Sequence, residues 1–122
     1  MEKIILTIDD STSLRAMVRM TLTSAGYQVV EASDGADGLR KAAAHPPDAI
    51  LTDLNMPGMG GMDFIRNFRA SAGGRGVPVV VLTTETGDAL KQEARAAGAT
   101  GWLAKPFDRE KLLSVVRKVA GA

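Results

Sequence analysis

Five short apolar runs alternate with five segments of helical periodicity along the chain. The runs are IILTI (4–8), YQVVEA (27–32), DAILT (48–52), VPVVVLT (77–83) and TGWLA (100–104). The first, third and fourth are nearly continuous in aliphatics, the pattern of parallel strands covered on both faces. The second alternates more, as suits a sheet edge. In STSLRAMVRMTLTSAGY, Leu14, Met17, Val18, Leu22 and Ala25 share one helical face, and Gly26 supplies a stop. DGADGLRKAAAH predicts a weaker helix ended by Pro46 and Pro47. GMDFIRNFRAS places Met62, Ile65 and Phe68 on one side, and GGRG (73–76) reads as a flexible link. GDALKQEARAAGA offers only Leu90, Ala94 and Ala97, which predicts the loosest-held helix. DREKLLSVVRKVA turns Leu112, Val116 and Val119 inward, with Asp108 as its N-cap. The methionines at 17, 20 and 62 read as core positions first.

Strand followed by helix, five times over, predicts an α/β doubly wound domain. It is a single domain with a five-stranded parallel sheet and right-handed crossovers. A length of 122 residues with 45% hydrophobic residues is enough for one core. The chain has no cysteine, which removes disulfides, thiolate chemistry and Cys-ligated zinc. The one histidine, His45, has no partner for a metal site and no nucleophile beside it, and it reads as a helix-end residue. A net charge of +1 with interleaved signs is not the basic stripe of a nucleic-acid binder. No apolar run approaches the ~20 residues that cross a bilayer, and the N-terminus does not read as a signal peptide. The expectation is a cytoplasmic protein without nucleic-acid or membrane partners.

In an open parallel sheet, ligands sit beyond the C-terminal ends of the strands. Asp9 and Asp10 follow the first strand, Asp53 the third, Thr83, Thr84 and Glu85 the fourth, and Lys105 the fifth. Glu31 ends the second without a comparable cluster. With the first, third and fourth strands adjacent, three carboxylates meet a hydroxyl and an ammonium in one crevice. Gly58, Gly60 and Gly61 leave room around them. Uncompensated, such carboxylates repel or take up protons. An oxygen-only donor set favours Mg2+, which binds through one or two carboxylates and keeps waters. Mg2+, lysine and threonine beside a spare carboxylate suit phosphoryl transfer. No Ser, Cys or His is placed as nucleophile, so an Asp would accept the phosphoryl group, and Asp53 is the best placed.

At these residues the sequence resembles the receiver domains of two-component response regulators, in particular those of the single-domain chemotaxis (CheY) type. The resemblance rests on IDD (8–10), TDLNMPGMGG (52–61), VLTTE (81–85) and GATGWLAKPF (98–107), one anchor per strand end, and covers the whole chain, 1–122. It implies the flavodoxin/CheY-like fold with strand order 2-1-3-4-5. It further implies Asp53 as phosphoacceptor, with Mg2+ bound by Asp10 and Asp53, by the backbone carbonyl of Asn55, and by Asp9 through a water. Thr83 would turn toward the phosphoryl group and Lys105 would pair with it, and the Lys105–Pro106 peptide would be cis. Asn55 and Glu85 would tune hydrolysis. Trp102 stands where the family carries its output aromatic, and reads equally as edge-strand packing or as a switch residue.

The function so implied is a phosphorylation-activated signalling module and not a true enzyme, though self-phosphorylation from small phosphodonors and self-dephosphorylation are expected. Its partners would be a histidine kinase, a downstream protein such as a flagellar motor switch protein, and a phosphatase. Because the sequence stops at the fifth helix, output by protein binding is expected. A Mg2+-dependent phosphatase of the haloacid dehalogenase kind is the alternative, disfavoured because Asn55 stands where that chemistry needs an acid. A flavin site is disfavoured because Asp9 and Asp10 would repel the flavin phosphate.

Overall fold

The computed structural model describes residues 2–85 and 87–121. The predicted alternation is present throughout: β1 (Ile4–Ile8), α1 (Thr12–Ser24), β2 (Gln28–Ala32), α2 (Gly35–Ala44), β3 (Ala49–Asp53), α3 (Gly61–Ala70), β4 (Val79–Thr83), α4 (Asp88–Ala97), β5 (Gly101–Ala104) and α5 (Arg109–Ala120). All pairings are parallel, in the order β2-β1-β3-β4-β5. The strands with the most continuous aliphatic runs, β1, β3 and β4, are the inner ones. β2 and β5 are the edges.

Alternation along each strand divides the core between two helical layers. Leu6, Ile8, Ile50, Val79 and Val81 pack with Phe64, Ile65, Phe68 and Ala94 of α3 and α4, and with Ala42 of α2. Ile5, Leu51, Val80, Leu82 and Leu103 pack with Val18 and Leu22 of α1 and Leu112 and Val116 of α5. Full burial of each such side chain contributes roughly 1.5–3 kcal/mol. Caps fix the helix starts. The Ser11 side chain accepts from the Leu14 amide, Asp34 from that of Asp37, and the predicted Asp108 from that of Lys111. His45 is the C-cap of α2, as its place before the prolines suggested.

Four details differ from the sequence reading. Phe64, absent from the predicted α3 face, is fully buried and stacks on Phe68 with ring centroids 5.7 Å apart. Ala25 is an exposed C-cap and Thr21 takes the buried place, because α1 has ended before Gly26 turns at φ +96°. Met20 is 56% exposed, since it lies on the opposite side of α1 from Val18 and Leu22. The GGRG segment is a fixed turn: Arg69 donates to the carbonyls of Gly74 (2.7 Å) and Gly98 (2.8 Å), and Gly74 is buried. The α4 reading fits the structure, for Ala94 is the one buried residue of that helix.

Candidate functional site

The C-terminal ends of β1, β3, β4 and β5 converge because the sheet is parallel and these four strands are neighbours in space. A carboxylate oxygen from each of Asp9, Asp10 and Asp53 lies within 4.8 Å of the others. Lys105 reaches in from the end of β5, with Nζ 3.1 Å from Asp9 Oδ2 and 3.3 Å from Asp53 Oδ2. The three side chains are mostly withdrawn from solvent, Asp9 almost completely. Asp10 is exposed at the rim.

Each carboxylate is held differently. Asp9 Oδ1 accepts from the Ser11 amide at 2.8 Å, so the first acid closes a turn into α1 while Oδ2 faces Lys105. Asp53 Oδ1 accepts from the amides of Leu54 (2.8 Å) and Asn55 (3.4 Å), which leaves Oδ2 toward Lys105 and the opening. Burial pushes the Asp53 carboxyl above the usual carboxylate range; the Asp9 charge adds to this, and Lys105 and the two amides oppose it. A site that holds one ammonium against three carboxylates, and raises the proton affinity of the innermost strand's acid, is short of positive charge. Its donors are all oxygens, the set that a hard divalent cation takes. The residues present therefore fit Mg2+.

Of the remaining sequence-predicted residues, Thr83, Asn55 and Glu85 border this centre and Trp102 does not. Thr83 is buried at the end of β4; its hydroxyl accepts from the Glu85 amide at 3.1 Å, and its carbonyl accepts from the Lys105 amide at 2.8 Å. Asn55 and Glu85 are exposed at the mouth. Lys105–Pro106 is cis. Trp102 pairs with Val81 on the edge strand and packs half-buried on the core, with Lys91 Nζ 5.7 Å from its ring centroid. Its Nε1 is buried without a hydrogen-bond partner among the described residues. Trp102 thus belongs to the α4–β5 surface and not to the carboxylate cluster.

The glycines do more than leave room. A Cβ on Gly61 would lie 2.1 Å from the Asp53 carbonyl oxygen, because the first turn of α3 approaches the backbone of the β3 end. Sequence reasoning also passed over Arg15 and Glu31. Arg15 donates through a terminal guanidinium nitrogen to the Asp9 carbonyl, and its Nε lies 3.4 Å from Glu31 Oε1. The available signal was Glu31 itself, an acid at the end of the strand that pairs with β1.

The comparisons agree with this geometry. The profile of the response regulator receiver domain matches residues 5–117. The chain belongs to that family. It is 40% identical over 114 residues to the transcriptional regulatory protein KdpE of Mycobacterium tuberculosis, covering 93% of this chain and 49% of KdpE. It thus spans about half the length of that relative. A solved structure of the chemotaxis protein CheY4 of Vibrio cholerae superposes with a TM-score of 0.95 at 44% identity, covering 98% of this chain and 99% of CheY4. The receiver domain of the sensor histidine kinase PA1611 of Pseudomonas aeruginosa, solved with a magnesium ion coordinated in its active-site cleft, gives 0.90 at 31% identity over the full length of both chains. The receiver fold is thus shared with solved proteins named for chemotaxis and for a sensor histidine kinase, and the sequence likeness extends to a protein named as a transcriptional regulator. No helix among the described residues is long and apolar enough to cross a membrane.

Proposed function

We propose that the chain, 1–122 taken as one receiver domain, accepts a phosphoryl group on Asp53 from a histidine kinase and changes its protein partners in response. The observation that carries this reading is the meeting of Asp9, Asp10 and Asp53 around Lys105. Asp53 Oδ2 attacks the phosphorus of the donor phosphohistidine, whose P–N bond breaks and whose imidazole leaves. The product is an acyl phosphate. Mg2+, when bound by Asp10, Asp53, the Asn55 carbonyl and, through water, Asp9, supplies positive charge against the phosphoryl oxygens. Lys105 adds a second charge. Thr83 exchanges its bond from the Glu85 amide for one to the phosphoryl group, and Asn55 and Glu85 govern the access of water. Hydrolysis returns the carboxylate and releases phosphate, so self-phosphorylation from small donors and self-dephosphorylation belong to the same site. Asn55, an exposed amide, cannot serve as the acid of a dehalogenase-type phosphatase.

A cytoplasmic module in chemotaxis, with a flagellar motor switch protein as target and a phosphatase as antagonist, is the setting favoured by the likeness to CheY4. KdpE and the kinase receiver show that the family serves other outputs. Incubation with Mg2+ and acetyl phosphate, read by intact mass, tests the chemistry. One labile adduct that vanishes on chelation supports the proposal, and rapid turnover of many phosphate esters would replace it with a phosphatase.

The metal reading has its own expected outcome. Metal-free protein should gain about 1.4 kcal/mol of stability at Mg2+ tenfold above its Kd, roughly a 4–6 °C rise in Tm for a domain of this size. Asp10→Ala should lose most of that gain, and a thermal melt across Mg2+ concentrations measures both. A separate expectation concerns Trp102. An indole N–H buried without an acceptor is in an unfavourable place, so a rearrangement of the α4–β5 surface should move the ring. Its fluorescence, the only tryptophan signal in the chain, should change at full phosphorylation. No change would remove Trp102 from the switch.

A further inference from the structure

We infer that Arg15 is a positioning residue that sets the Asp9–Asp10 peptide for metal binding, with Glu31 as its anchor. The inference rests on the phosphoacceptor reading above, in which Asp10 binds Mg2+. Arg15 lies on the first turn of α1, and its guanidinium donates to the carbonyl oxygen of Asp9. That carbonyl belongs to the same planar peptide unit as the Asp10 amide. Whatever fixes its orientation also fixes the backbone direction from which the Asp10 side chain departs. Asp10 needs such help. Its carboxylate makes no hydrogen bond or ion pair among the described residues, whereas Asp9 is held at Oδ1 by the Ser11 amide, at Oδ2 by Lys105, and at its own amide by the Ala32 carbonyl.

The guanidinium is itself fixed. Arg15 Nε lies 3.4 Å from Glu31 Oε1, and Arg19 takes the other oxygen at 2.8 Å. Lys41 Nζ donates to the Glu31 carbonyl at 2.8 Å, so Glu31 is tied at side chain and backbone to helices on both faces of the sheet. The Arg15 and Glu31 side chains are 17% and 28% exposed, sheltered enough for the pairing to hold one geometry. The chain Glu31–Arg15–Asp9 carbonyl thus runs from the edge strand to the metal-binding acids. Partners of this kind behind a ligand commonly alter metal affinity by 10–100-fold when removed.

Charge and position make opposite predictions here. If Arg15 were only a nearby cation, removing it would tighten Mg2+ binding by relieving repulsion. As a positioning residue, its loss weakens binding. The experiment is a Mg2+ titration of the full chain, followed by Tm and by the amide shift of Asp10 in 1H–15N spectra. Arg15→Met should raise the Mg2+ Kd about tenfold and displace the metal-free Asp10 amide resonance. Glu31→Gln, which keeps the side chain's shape, should raise the Kd about threefold, a part of the same loss. In the double variant the effect should not exceed that of Arg15→Met alone, since both act through one link. An unchanged or lowered Kd in Arg15→Met overturns the inference, as do additive effects in the double variant. Should Arg15→Met not fold, Arg15→Lys decides, because it keeps the charge and loses the guanidinium link between Glu31 and the Asp9 carbonyl: a raised Kd supports the inference and an unchanged one overturns it. Wild-type protein that binds no Mg2+, or binds it undiminished in Asp10→Ala, would instead overturn the metal reading of the site.

Discussion

Asp53→Asn should abolish the phosphoryl adduct formed with acetyl phosphate and Mg2+, while the protein stays folded. The loss should be complete, because an amide oxygen is a poor nucleophile toward phosphorus and no other carboxylate in the cluster is placed alike. Asp9 has both oxygens engaged, by the Ser11 amide and Lys105. Asp10 stands at the rim without Lys105 beside it. A control on folding follows from the electrostatics. Burial first, and the Asp9 charge after it, hold the folded-state pKa of Asp53 above its ordinary value. The metal-free fold therefore binds that proton more tightly than the unfolded chain does. The stability this contributes is fully present below the unfolded pKa and is lost as pH rises through the folded one. At neutral pH the ionised carboxylate is thus a cost, so metal-free Asp53→Asn should melt no lower than wild type, and its Tm should lose dependence on Mg2+. Intact mass and a pair of melts check both. Undiminished labelling of the variant would remove Asp53 from its role.

Much of this site could be read from the chain because parallel sheets send all their C-terminal ends to one edge. Asp9, Asp53 and Lys105 directly follow an apolar run, Asp10 comes one residue later and Thr83 closes its run, so the runs are enough to gather them. The order of the strands was not readable from the runs themselves. It came with the family resemblance, and the continuous aliphatics of β1, β3 and β4 told only that these are interior. What remained hidden depends on long side chains and on backbone proximity. Arg15 looks like any solvated helix residue until the helix is placed over the Asp9 carbonyl. Phe64 sits beside Ile65, and a face drawn through Met62, Ile65 and Phe68 passes it by. The GGRG segment has the composition of a flexible link, yet Arg69, a residue of the preceding helix, ties it to the α4–β5 connection.

Gly61→Ala should damage both the stability and the chemistry of the domain, whereas Gly58→Ala should damage stability alone. Gly58 lies in the β3–α3 loop and Gly61 opens α3, and the two serve different needs. Gly58 has φ +72° and open space where a Cβ would stand. Alanine there has only the left-handed backbone against it, roughly 1–2 kcal/mol. Gly61 meets backbone: a Cβ would lie 2.1 Å from the Asp53 carbonyl oxygen and 2.9 Å from Leu54 Cα. The Gly61 amide also donates to the Leu54 carbonyl at 3.0 Å, so α3 cannot withdraw without breaking a bond that holds its start to the β3 end. Relief must come from shifting the backbone of Asp53 and Leu54, and with it the amide that Leu54 directs at Asp53 Oδ1. A cost of about 2–3 kcal/mol, the upper part of the overpacking range, corresponds to a Tm roughly 10 °C lower. The functional consequence separates this from simple destabilisation. At a temperature where both variants are fully folded, Gly58→Ala should label with acetyl phosphate at the wild-type rate. Gly61→Ala should label at least about tenfold more slowly, as a displacement near 1 Å at a reacting group can cost 10²-fold. Equal labelling rates would mean that the β3 end absorbs the extra methyl without moving its carboxylate, and that the glycine is there for packing alone.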